Sequence, residues 1–271
     1  MRQISLPTEV LDYIFSFLES DFVALKACSL SHPFLSQIAE RYLYATVNLQ
    51  DDGFIGDTGL RMFEFNQLFL DRPRIGSHVR TVEVRIPHKY WFDVTDLAHI
   101  SSILQKLSLV KKIALMQEDQ CIDCFWENLP ETFHQAFLKC LCLQSMKELS
   151  LVLVTNFPLS ALKDCKTIKI LNLKGWKHDP KLNVTGDTLV HPLPPIESLT
   201  LRGCERESLQ EMLPWLEQRH IRSLTFSGAC ALSAVLAHCS NYLTTLDLNI
   251  IDCCMSCSFD QVFATKSWHS S

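Results

Sequence analysis

The chain has 271 residues, of which 47% are hydrophobic and 20% charged, ample for the packed core of one or two domains. Its formal net charge of -5 gives no electrostatic footing on nucleic acid or an anionic membrane, which need clustered Lys and Arg, so the expected partners are proteins. Twelve cysteines would suit a disulfide framework only in a short secreted chain, and Met1-Arg2-Gln3 leads into a helix without an apolar signal core; reduced thiols in the cytoplasm or nucleus are expected.

Residues 6 to 49 read as three short helices. The first starts at Pro7, whose missing N–H suits a helix start, with Glu9 adding negative charge to the first turn. Its stripe is Val10, Leu11, Ile14, Phe15 and Leu18, and Tyr13 and Phe17 fall outside it. Asp21 is placed to cap a second helix carrying Phe22, Leu25, Ala27, Cys28 and Leu30, and Ser31-His32-Pro33 resets the chain. The third carries Phe34, Leu35, Ile38, Ala39, Tyr42 and Leu43. These faces are too large for one another, which predicts a surface that docks on a partner; the alternative is an ordinary three-helix subdomain with every apolar group internal.

Gly53-x-x-Gly56-x-x-Gly59 follows. Asp51, Asp52 and Asp57 surround it and no Lys comes after, the reverse of a phosphate cradle, so it is expected to be a solvated connector and not a nucleotide or calcium site. Beyond it one pattern recurs, with apolar residues at the first, fourth and sixth positions: Val79/Val82/Val84, Val110/Ile113/Leu115, Met146/Leu149/Leu151, Ile168/Leu171/Leu173, Ile196/Leu199/Leu201, Ile221/Leu224/Phe226 and Leu243/Leu246/Leu248. The first residues of successive copies lie 31, 36, 22, 28, 25 and 22 positions apart. The last four intervals bracket the period of leucine-rich repeats, and Cys204 falls on the usual Asn/Cys position of its copy. Helix candidates lie between the strands at 96–109, 130–143, 158–165, 205–219 and 229–239. The expected fold is therefore α/β: the small three-helix segment, then an open, irregular, leucine-rich-repeat-like solenoid with a mainly parallel sheet. Seven coincidental strands in a compact α/β domain are the alternative, and also give a largely parallel sheet. The uncharged stretch from Ser223 to Leu246 breaks at Gly228 and Asn241 and reads as strand, helix and strand, not as a membrane span. No long helix follows the last copy, so an uncapped end, a frayed tail from Asp260 to Ser271, marginal solubility and a chain shortened or mis-spliced relative to longer relatives are expected.

Several cysteines invite a metal reading. Cys121-x-x-Cys124 with Cys140-x-Cys142 could supply four thiolates, but Cys140 and Cys142 sit in an apolar helix end where cysteine is a small hydrophobe, and Cys253-Cys254-x-x-Cys257 has no matching ligand pair. No nucleophile elbow, zinc-protease helix or kinase signature is present. No metal, no cofactor and no catalytic residue are expected.

Leu6-Pro7-x-Glu9-Val10-Leu11-x-x-Ile14-Phe15-x-x-Leu18, then Asp21-Phe22-x-Ala24-Leu25-x-Ala27-Cys28-Ser29-Leu30, then Arg41-Tyr42-Leu43-Tyr44-x-x-Val47-x-Leu49 resembles the F-box, most closely its fungal form. Phe69-Leu70-x-x-x-Pro73-x-Ile75-x-x-x-Val79-Arg80-x-Val82 resembles the segment that follows the box in fungal F-box proteins with degenerate leucine-rich repeats. Many F-boxes carry a tryptophan near the start of the third helix; Pro33-Phe34-Leu35 stands there instead, and Phe34 lacks the indole donor.

The resemblance implies an F-box over 1–45, a connector with a first strand and helix over 46–78, a leucine-rich-repeat-like domain over 79–259 and a tail over 260–271. It implies a substrate-recognition subunit of a Skp-cullin-F-box ubiquitin ligase, not itself an enzyme, that docks a Skp-family adaptor and through it a cullin, and presents a protein target for ubiquitin-dependent degradation. Leu6, Pro7, Val10, Leu11, Ile14, Leu25 and Leu30 are the expected adaptor contacts or their direct supports. The target is expected on the non-apolar strand positions, at Lys174, Arg202, Arg222, Thr225 and Asp247, with Arg202 and Arg222 as anchors. An interaction scaffold of the same fold that does not enter a ligase is the main alternative. A small hydrolase is the third, and would need a titratable cluster in a cleft.

Overall fold

The computed structural model describes residues 6–50, 58–86, 94–117, 124–177, 194–216, 221–228, 232–239 and 242–249. They belong to two compact units, residues 1–113 with 131–146, and residues 114–130 with 147–271. The fold is α/β with a mainly parallel sheet.

The first unit opens with α1 (Thr8–Ser16), α2 (Phe22–Ser31) and α3 (Pro33–Leu43). Each start has its donor partners. The Pro7 carbonyl accepts from Val10 and Leu11, the Asp21 carboxylate accepts from the Ala24 N–H at 2.9 Å, and His32 Nδ1 accepts from the Phe34 N–H at 3.1 Å. Phe15, Leu25, Ile38 and Ala39 form the core of this layer, with Leu11, Leu18, Cys28, Leu35, Tyr42 and Leu43 packed against them. The apolar stripe expected on α1 is therefore divided: Leu11, Phe15 and Leu18 turn inward, while Val10 and Ile14 remain exposed.

The same unit continues through β1 (Thr46–Gln50), α4 (Thr58–Asp71), a 3-10 turn at Pro73–Ser77, β2 (Thr81–Ile86), α5 (Val94–Lys106), the first residues of β3 (Lys112–Gln117) and α6 (Glu131–Leu141), with strand order β1-β2-β3. β1 and β2 are parallel, Val47 against Val82 and Leu49 against Val84. Phe69, Ile75, Val79 and Val82 of the segment after the helices are all buried. Gly76 sits so close to the end of α5 that a Cβ would lie 2.7 Å from the Lys106 carbonyl oxygen, which only glycine avoids. Gly59 of the glycine-rich segment lies within α4; its other glycines fall outside the described residues.

The second unit holds the rest of β3, then β4 (Cys124–Phe125), β5 (Glu148–Val152), β6 (Val154–Thr155), a 3-10 turn at Leu159–Asp164, β7 (Ile170–Lys174), β8 (Ser198–Arg202), α7 (Arg206–Leu216), β9 (Ser223–Ser227), α8 (Leu232–Cys239) and β10 (Thr245–Asn249). Strand order is β3-β5-β7-β8-β9-β10, and β5, β7, β8, β9 and β10 are successive parallel neighbours. The helix expected over 158–165 is a single 3-10 stretch, and the short parallel pair β4 and β6 has no counterpart in the repeated pattern.

Every apolar residue of the first six copies is buried, from Val79 to Phe226; Leu243, Leu246 and Leu248 of the seventh are half-buried. The copies share a hydrogen-bond geometry at both strand ends. At the start, the carbonyl of the residue after the first apolar position accepts from two consecutive N–H groups of the next copy: Lys147 from Lys169 and Ile170, Lys169 from Glu197 and Ser198, Glu197 from Arg222 and Ser223, and Arg222 from Thr244 and Thr245. At the finish the chain turns through a left-handed residue, Leu153 (φ 56°), Gly175 (φ 58°) and Gly203 (φ 60°), whose N–H donates to Lys174, Arg202 and Ser227 respectively. Segments 178–193 and 250–271, which include the expected tail, lie outside the described residues.

Candidate interaction surfaces

Among the described residues, nine of the thirteen exposed large apolar side chains fall between Leu6 and Phe34: Leu6, Val10, Tyr13, Ile14, Phe17, Phe22, Val23, Leu30 and Phe34. The core of this layer is filled by Phe15, Leu25, Ile38 and Ala39 with their packed neighbours, and these nine side chains stay outside it. Of the residues expected to meet an adaptor, Leu6, Pro7, Val10, Ile14 and Leu30 are exposed and Leu11 is half-buried against the core. Leu25 has no exposed surface; it can support such a contact but cannot make it. The expected set omitted Tyr13, Phe17, Phe22 and Val23. Tyr13 and Phe17 pack edge to face, 4.9 Å apart on the outer side of α1, and their position off the apolar stripe was the available signal.

The helices are tied to the following segment by an ion cluster. Glu40 of α3 is 3% exposed, with Arg74 Nη2 at 2.9 Å and Arg72 Nη1 at 3.4 Å. Nearby a cavity of about 500 Å³ is lined by Glu19, Arg41, Tyr42, Ser77, His78 and Arg80, among others. Both arginines are engaged, Arg41 with Asp12 at 3.2 Å and Arg80 with the Ser77 carbonyl at 2.7 Å. Burial, then the positive charge of Arg41, hold the His78 imidazole below its ordinary range, which keeps it neutral near pH 7. Tyr42 is raised by burial and by Asp12, while its hydroxyl donates to the Asp12 carbonyl at 2.8 Å.

The second unit presents a different chemistry. Along β5, β7, β8 and β9 the buried leucines and Phe226 alternate with less buried positions that stand in register across the strands. One row is Ser150, Asn172, Thr200, Thr225 and Asp247; the next, toward the strand ends, is Val152, Lys174, Arg202 and Ser227. Asn172 donates to Glu148 at 2.9 Å, and Lys169 reaches Glu197 at 2.6 Å, a hydrogen bond that lowers the Glu197 carboxyl. The expected target residues therefore lie on one sheet but do not form one cluster. Thr225 and Asp247 are neighbours, and so are Lys174 and Arg202, whereas Arg222 precedes β9 and lies at the opposite end of the strands from Arg202. Five residues of strand place those two arginine backbones roughly 16 Å apart, too far to anchor one small group together.

Burial pushes the thiols of Cys124 and Cys140 up to about 12 and those of Cys204 and Cys239 up to about 11, so all four are protonated at neutral pH. Cys142 is exposed, and Cys121, Cys253, Cys254 and Cys257 lie outside the described residues. Among the described residues no group of three or more His, Cys, Asp or Glu could hold a metal ion, and no helix is long and apolar enough to cross a membrane. No protein-family model matches the chain, and no curated protein matches it in sequence.

Proposed function

We propose that the chain is the substrate-recognition subunit of a Skp-cullin-F-box ubiquitin ligase, with α1, α2 and α3 as the F-box and the repeated copies as degenerate leucine-rich repeats. The observation that carries the reading is the apolar face left in water on the first three helices, from Leu6 to Phe34, on a layer whose own core is complete. Exposed apolar side chains gathered in one segment mark an interaction surface, and the F-box resemblance of the same residues points to what would cover it: a Skp-family adaptor, and through it a cullin. The polar strand positions of the second unit then hold a protein target. The chain's contribution to ubiquitin transfer is proximity, which needs no catalytic residue of its own.

The test is co-expression of the full chain with a Skp-family adaptor and a cullin. Recovery of a stoichiometric complex, and ubiquitylation that depends on the chain when the remaining ligase subunits are added, is the expected result. A folded chain that captures neither adaptor nor cullin refutes the reading and leaves the scaffold of the same fold.

A further inference from the structure

We propose that Lys174 and Arg202 together form the recognition site for an acidic segment of the target, one whose Asp or Glu carboxylates lie across the ends of β7 and β8. The proposal rests on the target-receptor reading above and names the chemistry of what is received.

Lys174 and Arg202 are direct register partners on adjacent parallel strands, and both are exposed. Their backbones are therefore about 4.8 Å apart, a separation at which like charges on one sheet face repel and destabilise the pairing. Neither has an acidic partner among the described residues. Among the described residues, Glu148 receives the Asn172 amide, Glu205 pairs with Lys177 at 3.5 Å, Glu197 is held by Lys169, and Asp247 lies on β10, two strands from β8. Lys169 and Lys177 have carboxylate partners and this pair has none among the described residues, so an acidic segment brought by the target would relieve its repulsion.

The surroundings specify the anion. Ser227 stands beside Arg202 in register, and Asn172 and Thr200 lie one row behind, giving neutral hydrogen-bonding groups around two full charges. The two charges are side-chain cations in register on adjacent strands, a different arrangement from the convergent backbone N–H groups that cradle a phosphate dianion. Two cations spaced one strand apart fit successive carboxylates of an extended acidic chain, with the planar Arg202 guanidinium able to take one of them in two parallel hydrogen bonds.

Binding of fluorescein-labelled octaglutamate to the full chain, followed by fluorescence anisotropy, tests this. Octaglutamate is expected to bind and octaglutamine not to, with affinity falling as salt is raised. K174Q/R202Q is expected to weaken binding about tenfold, a size typical of two exposed charge contacts, while K163Q, on the 3-10 turn at Leu159–Asp164, leaves it unchanged. A second readout guards against a trivial loss of folding: K174Q alone should raise the melting midpoint, because it removes the repulsion, and yet weaken peptide binding. No binding to the wild-type chain, equal binding to K174Q/R202Q, or binding only of an octapeptide of alternating phosphoserine and glycine would overturn the proposal. Adaptor capture is measured on the same preparations. Its loss with peptide binding intact sinks the ligase reading alone, and the converse sinks the acidic site alone.

Discussion

Replacing Val10 and Ile14 together with alanine tests the docking face without touching the core beneath it. The two substitutions delete about five methyl or methylene groups, worth about 0.8 kcal/mol each when fully buried, or about 4 kcal/mol in all. In the free chain the two residues are 42% and 43% exposed, so an adaptor newly removes less than half of their surface from water. Scaled accordingly, the expected loss is about 1.7 kcal/mol, roughly twentyfold in dissociation constant. Folding should hold, since both positions face water on α1 and alanine is the better helix former. The assay is calorimetric titration of a Skp-family adaptor into wild-type and V10A/I14A chains, beside thermal melts of each. Leu25→Ala is the contrasting control: its side chain is wholly buried, so it should cost about 2 to 5 kcal/mol of stability and lower the melting midpoint. If V10A/I14A melts like the wild type and binds the adaptor equally well, the apolar face is not the docking surface and the argument from exposure fails.

Glu40→Gln removes the charge that faces Arg72 and Arg74 and should lower the urea stability by about 1 to 2 kcal/mol, the arginines being about half exposed and able to rehydrate; an unchanged midpoint would mean the cluster contributes nothing. Gly203→Ala meets no neighbour and should cost only the left-handed backbone, about 1 kcal/mol, whereas Gly175→Ala also drives a Cβ to 2.5 Å from Leu153 Cδ2 and should cost about 1 kcal/mol more; equal losses in chemical unfolding would contradict the geometry. Because burial and the facing Arg41, Arg80 and Arg74 outweigh Glu40 and lower the His78 imidazole, the unfolded chain takes up that proton first as pH falls. The contribution of His78 to stability is thus whole above the ordinary imidazole value of 6.5 and is lost below it, down through the lowered folded-state value. His78→Gln should flatten that part of the stability-versus-pH curve, and an unaltered slope would show that the imidazole is not the group responsible.

The repeated strands were legible because their apolar residues keep one offset, and a period of two buries alternate side chains wherever it occurs. Asp21 marked the start of α2 through a capping bond that needs only a short acidic side chain at that position. The orientation of α1 was not legible. Val10 and Ile14 are as apolar as Leu11, Phe15 and Leu18, and periodicity cannot say which of two adjacent apolar faces turns inward. Leu25, expected as a contact or its support, has no exposed surface and is left only the second of those roles. Arg202 and Arg222 looked equivalent as basic residues flanking strands, yet one follows the third apolar position of its copy and the other follows the first, which places them at opposite ends. Gly175, Gly203 and Gly228 carried a signal that went unused: each stands two residues after the last apolar position, where the chain needs positive φ, and Leu153 fills the same place without being glycine.

The sheet of the second unit gives its exposed positions a character suited to the recognition proposed above. Parallel strands are ordinarily covered on both faces and then read as unbroken apolar runs. Here β5, β7, β8 and β9 alternate strictly, and the middle row of the less buried side is Ser150, Asn172, Thr200 and Thr225, all hydrogen-bonding groups. Such a row gains little from an apolar cover, because each buried hydroxyl or amide would then need a partner or cost about 1 to 3 kcal/mol. A ligand suited to this side must therefore bring its own donors and acceptors, and gains selectivity from matching them. The face on α1 to α3 has the opposite character, with affinity following apolar area and little to discriminate beyond shape. On the proposed reading that division is functional: a constant partner can be held by area, while a chosen one has to be recognised group by group, and Lys174 beside Arg202 is where that choice acquires a sign of charge.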